Sequence, residues 1–121
     1  MTQKLFSVCS LPQRLRILNI LTKNIPDIAK NKQGTHTLQA FIALFITHEE
    51  YTIMCEQLKQ DFYEMSRNSN STHFVQKIIK IFPLNYTIEF YLYAAENLVA
   101  FALDKNAMCV IKHMMRKLKE V

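Results

Sequence analysis

The sequence has one glycine, three prolines and no tryptophan in 121 residues. All-β and loop-rich proteins build their turns from glycine and proline, so this scarcity argues against both classes. Cysteine is scarce as well: Cys9, Cys55 and Cys109 lie far apart and are odd in number. With no Cys-x-x-Cys pair, neither a zinc site nor a disulfide framework is supported, and reduced thiols in an intracellular protein are expected. No apolar run approaches the roughly 18 residues that a membrane span needs. Residues 1–10 carry one lysine and no long apolar stretch, so they do not read as a secretory signal. No His-Glu-x-x-His helix and no Gly-x-x-x-x-Gly-Lys loop appears. Asp27, Glu64, Glu89 and Glu96 are scattered as solvated helix faces are, and no serine, histidine and acid can be grouped. The expectation is a protein that is not an enzyme, with no cofactor, no metal and no small-molecule substrate.

Apolar residues make up 50% of the chain, enough to bury a sizeable core. The net charge of +5 and a pI near 9.2 lean weakly toward an acidic partner. The stronger signal is repetition. Residues 31–39 read Asn-Lys-Gln-Gly-Thr-His-Thr-Leu-Gln, and residues 68–76 read Asn-Ser-Asn-Ser-Thr-His-Phe-Val-Gln. A looser copy, Asp-Lys-Asn-Ala-Met-Cys-Val-Ile-Lys, occupies residues 104–112. A fixed period of this size marks a repeat array.

Apolar periodicity predicts helices throughout. The first round has a helix over 11–21 with Arg14 and Arg16 facing out, a short one over 25–30, a polar break, and a long one over 34–45. Pro12 and Pro26 suit first turns. The second round has 49–58, opened by a Thr47–Glu50 capping box, then 61–67 and 71–82, stopped by Pro83. The third has 87–95, 98–103 and 107–119. Packing columns agree across rounds: Ile25, Phe62 and Leu98; Ile28, Met65 and Phe101; Leu38, Val75 and Ile111; Phe41, Ile78 and Met114; Ile42, Ile79 and Met115. Gly34, Ser71 and Ala107 are all small, which allows a tight turn or a close neighbouring helix. One round cannot bury its own apolar faces, whereas three stacked rounds can. Tyr86, Phe90, Tyr91 and Tyr93 are expected to pack between rounds, and Arg116, Lys117 and Lys119 to suit a solvated helix end.

On the long helices, Thr35 and Gln39 are four residues apart and share a face, with His36 flanking it. Thr72, His73 and Gln76 repeat the set. All six are expected to point outward. An amide suits the polar edge of a base, and an imidazole can stack on its face.

These residues resemble the Pumilio (PUF) RNA-binding repeats, whose helix opens with a small residue, then two residues, two apolar ones and commonly Gln. Gly-Thr-His-Thr-Leu-Gln at 34–39 and Ser-Thr-His-Phe-Val-Gln at 71–76 fit well, and residues 107–112 fit in frame. The resemblance implies an all-α fold, an α-solenoid of about three three-helix repeats (11–46, 47–83 and 84–121) after an N-terminal segment 1–10. Such a unit would be a fragment of a longer array. It implies single-stranded RNA as partner, one base per repeat. Base edges would meet Thr35, Gln39, Thr72, Gln76, Met108 and Lys112, and bases would stack on His36, His73 and Cys109. The third set departs from the pattern: Lys112 suits a phosphate or a base acceptor, and Met108 and Cys109 offer soft apolar surface. The implied role is post-transcriptional control of messenger RNA, through its 3′ untranslated region and protein co-repressors, in the cytoplasm. The alternatives are a protein-binding repeat scaffold, or non-specific RNA or ribosome-precursor binding by a divergent nucleolar relative.

Overall fold

The structure, a computed structural model, describes residues 11–45 and 47–120, apart from the side chain of Leu11. The expected segment 1–10, Cys9 and the apolar role of Leu11 lie outside the described residues.

Nine helices are formed among the described residues, in three rounds of a first helix (expected as the medium one), a short helix and a third helix (expected as the long one). The third helix exceeds the first only in the third round, 15 residues against 13. The first round is α1 (Leu11–Thr22), α2 (Ile25–Lys30) and α3 (Lys32–Ile42). The second is α4 (His48–Leu58), α5 (Phe62–Arg67) and α6 (Ser71–Ile81). The third is α7 (Leu84–Glu96), α8 (Leu98–Ala102) and α9 (Lys105–Lys119). The local causes are visible in the sequence. Thr47 and Glu50 form the reciprocal capping box that opens α4. The polar breaks prove to be caps. Asn31 Oδ1 accepts from the N–H groups of Gln33 and Gly34 at 2.9 Å, and Asp104 Oδ1 from those of Asn106 and Ala107. Asn68 Oδ1 likewise accepts from Asn70 and Ser71. Each cap satisfies amides that the first turn of a helix leaves unpaired. Pro83 both ends α6 and opens α7, so α7 begins three residues before the predicted start.

The long helices lie side by side in the order α3, α6, α9, and the medium helices in the order α1, α4, α7. Their apolar faces merge into one core that includes Leu18, Phe41, Met54, Ile78, Phe82, Phe101 and Val110. The aromatic residues tie successive rounds together. Phe62 stacks on Phe90 with centroids 4.6 Å apart, and Tyr51 on Tyr86 at 5.0 Å. Tyr93 stands more exposed, edge-on to Phe62 at 6.0 Å. The small column has its reason too. A Cβ on Gly34 would collide with the carbonyl oxygen of Ile28, Ala107 is wholly buried, and the Ser71 hydroxyl donates to the Met65 carbonyl at 2.7 Å.

Three expectations need correction. Leu98 and Met115 share columns with buried residues, yet are 50% and 56% exposed. Their partners Phe62 and Ile79 are covered by the round that follows, and no further round covers the third among the described residues. Arg14 does not face out. It donates to Glu50 at 2.8 Å and to the Leu44 carbonyl at 2.7 Å, with Glu50 fully buried. A buried carboxylate has to be paired, and that draws the guanidinium inward.

Candidate nucleic-acid interface

The long helices place the repeated Thr-His-x-x-Gln sets on neighbouring, side-by-side elements. Residues adjacent in a helix diverge by about 100°, and this splits each set. His36 and His73 are exposed, and so is Cys109, their counterpart on α9. Gln39, Gln76 and Met108 are half-buried, and Lys112 is exposed.

Thr35 and Thr72 correct the outward reading: they are 2% and 1% exposed. Their hydroxyls donate across to the next round. Thr35 Oγ1 bonds the Asn70 carbonyl at 3.0 Å, and Thr72 Oγ1 the Asn106 carbonyl at 3.1 Å. The same two asparagines reach back: Asn70 Nδ2 donates to the Lys30 carbonyl at 2.8 Å, and Asn106 Nδ2 to the Arg67 carbonyl at 2.9 Å. Each junction between rounds thus carries a two-bond clamp of one threonine and one asparagine. The signal for it in the sequence is the shared register of Asn70 and Asn106, which carries no hint of base reading. Met108 fills the threonine slot on α9 and has no hydroxyl to give.

The two amides differ. Gln76 Nε2 donates to Thr72 Oγ1 at 3.1 Å, which orients the carboxamide along α6. Gln39 Nε2 is buried and has no hydrogen-bond partner among the described residues. It is a buried amide donor with an unmet demand for an acceptor, on a residue three positions after the exposed His36.

Other polar groups are engaged in the frame. His48 Nδ1 meets the Tyr86 hydroxyl at 2.8 Å, and Lys59 bridges Glu56 and Glu89. Cys55 is buried, and burial pushes its thiol up to about 12, so it stays protonated and inert. Among the described residues no three His, Cys, Asp or Glu side chains are grouped as metal ligands, and no helix is long and apolar enough to cross a membrane. What the surface of the long helices offers is a row of planar and amide groups on a rigid support. Such a row can stack on and hydrogen-bond to flat, polar-edged ligands.

Comparison with known proteins gives the same direction. The Pumilio-family RNA binding repeat matches residues 2–22, 24–58 and 61–86. The second and third matched segments start at the short helices, one helix later than the rounds of the fold. The chain is 28% identical over 116 residues to Pumilio homolog 12 of Arabidopsis thaliana, covering 93% of this chain and 19% of that protein. It is 31% identical over 97 residues to a Pumilio domain-containing protein of Schizosaccharomyces pombe, covering 80% of this chain and 12% of that one. Pumilio homolog 11 of Arabidopsis thaliana is 30% identical over 114 residues, covering 91% and 20%. The chain therefore spans about a fifth or less of the length of these relatives. No solved structure gives a match. With the repeat matched over more than half of its length, the chain belongs to the Pumilio family of RNA-binding repeat proteins.

Proposed function

We propose that this chain binds single-stranded RNA with sequence preference, through exposed and half-buried side chains of α3, α6 and α9. The observation that carries the reading is the recurrence of an exposed imidazole beside a carboxamide, His36 with Gln39 and His73 with Gln76, one round apart on adjacent helices. Bases splayed from a single strand stack on such rings and present their edges to the amides. Gln39 brings an unpartnered donor, and Gln76 brings one already oriented by Thr72. Thr35 and Thr72 then act on the RNA through the positions of their neighbours. On α9, Cys109 and Met108 supply apolar contact, and Lys112 supplies a cation. The step is binding, without catalysis. By family, the RNA is a messenger bound in its 3′ untranslated region, the outcome is repression or decay with the help of protein co-repressors, and the setting is the cytoplasm.

A second reading, a protein-binding scaffold, is favoured by one observation. Leu92, Leu98, Val99 and Leu103 form an exposed apolar surface on the third round.

Fluorescence anisotropy with short RNAs of varied sequence tests the first reading. Replacing His36, Gln39, His73 and Gln76 together by alanine removes two stacking platforms of about 1–3 kcal/mol each. Sequence-dependent binding should collapse in that variant. Wild-type binding that is absent, or that survives the four substitutions unchanged, would move the scaffold reading to first place.

A further inference from the structure

Charge climbs across the long helices in matched register. Directly beyond the amides, one column runs Ala40, Lys77, His113, and the next runs Ala43, Lys80, Arg116. The amide column itself runs Gln39, Gln76, Lys112. The stripe is neutral on α3 and basic on α6 and α9.

The cations converge at the C-terminal halves of α6 and α9. There Lys80, His113, Arg116, Lys117 and Glu120 line a cleft of about 150 Å³. One of them has a structural role, since Lys117 Nζ donates to the Lys80 carbonyl at 3.0 Å and ties the end of α6 to α9. Lys80 and Arg116 have no such partner among the described residues. Among the described residues the ion pairs are Arg14–Glu50, Lys59 with Glu56 and Glu89, and Arg67–Asp104, so neither cation meets a carboxylate. Glu120 lines the same cleft and bridges to neither. His113 registers the surplus. Burial first, then the positive charges of Arg116 and Lys80, hold its pKa below the usual imidazole range. Glu120 is the one acid on the cleft among the described residues and neutralises only part of the charge of Lys80, Arg116 and Lys117. The remaining like charges repel, and an anion between Lys80 and Arg116 reduces that repulsion. The donor set fits a phosphate: a planar guanidinium that can grip two oxygens, a point-like ammonium and a ring N–H.

We propose that the cleft between the C-terminal ends of α6 and α9 holds one backbone phosphate of the RNA whose bases meet His36, His73 and the neighbouring amides. This rests on the RNA-binding reading above. An anchor at one end of the row has a purpose. Stacking is tolerant of sequence, so a strand held by stacking alone can slip by one round. A phosphate fixed at one point stops the slip.

The test compares wild type with a Lys80→Gln/Arg116→Gln variant, both as the full chain. The two side chains are exposed, so the variant should fold as wild type does, and circular dichroism is the check on that. Anisotropy titrations run across a salt series, with a His36→Ala/His73→Ala variant alongside. Expected is a loss of affinity of about tenfold at low salt, with the log–log salt slope shallower by about 1 and the base preference unchanged. RNAs carrying one neutral methylphosphonate each should show a single sensitive position in wild type, and none in the glutamine variant. Inorganic phosphate at matched ionic strength should compete with RNA on wild type more strongly than on the glutamine variant. If the glutamine variant binds as wild type does while the histidine variant is impaired, the anchor is wrong and base stacking stands. If neither variant changes binding, both readings fall. Equal sensitivity at every methylphosphonate position, or equal phosphate competition on both proteins, would mean diffuse attraction and would overturn the site.

Discussion

Gly34 is the one glycine of the chain, and its missing side chain lets α3 begin hard against the backbone of α2. Two effects oppose each other on substitution. Alanine favours a helix over glycine by about 1 kcal/mol. Its Cβ, however, would collide with the Ile28 carbonyl, which is backbone and cannot swing away. Overpacking of this kind costs about 1–3 kcal/mol, so Gly34→Ala should be destabilising on balance. Urea denaturation decides it, and a variant as stable as wild type would show that α2 and α3 part freely. His113 gives a second prediction at this scale. Its folded pKa lies below the ordinary 6.5, which the unfolded chain retains. The unfolded state therefore takes up the proton first. Stability from this group is complete above that range and falls as pH drops through 6.5 toward the folded value. Between pH 7 and 5 the urea midpoint should fall less in His113→Gln than in wild type. An identical fall in both would mean that His113 is not held in its neutral form.

At the scale of elements, the clamps join helices that the core alone would leave free to slide. Thr72 serves twice, donating to the Asn106 carbonyl and accepting from Gln76. Thr72→Val keeps the shape and removes both bonds. The Asn106 carbonyl keeps its place in the ladder of α9, so what is lost is a part-buried hydrogen bond of about 0.5–1.5 kcal/mol, and the thermal midpoint should drop accordingly. Amide exchange should quicken at the start of α9, where Asn106 sits, more than in α1. Exchange unchanged there would show that the clamp holds nothing. The first turns of α3 and α9 were readable beforehand as polar breaks, because asparagine and aspartate favour such places. Which amides they cap was not, since that depends on the turn each chain segment finally takes.

For the molecule as a whole, Arg14 is the long-range tie: it links α1 of the first round to α4 of the second through fully buried Glu50. Arg14→Met takes the cation from a buried carboxylate that keeps its Thr47 hydrogen bonds, at up to about 3–5 kcal/mol. In a stack, stability is carried by neighbours, so the loss should be local. Hydrogen exchange should rise across α1 and α4 well before α9, whereas uniform acceleration would indicate one indivisible unit. The three-round architecture was legible from sequence because packing imposes a period, and columns such as Leu38, Val75 and Ile111 obey it. Facing was less legible. Helical spacing puts Thr35 and Gln39 on one side, but only the position of the neighbouring helix decides that Thr35 is covered, Gln39 half-covered and His36 open. Leu98 and Met115 were misplaced for a related reason: a column predicts burial only where another round lies on top. The inward turn of Arg14 is not legible in the sequence because its partner lies 36 residues away.

The clamps also have a metric meaning. Thr35 precedes His36 and Thr72 precedes His73, so each ring rides on a residue bolted to the next round's backbone. The interval between successive rings is thereby graduated by protein hydrogen bonds, as on a rule, and is not left to whatever lies across them. On the proposed reading, a flexible strand laid along the row would have to stretch or fold to that scale, and a ligand with the wrong natural spacing would be rejected.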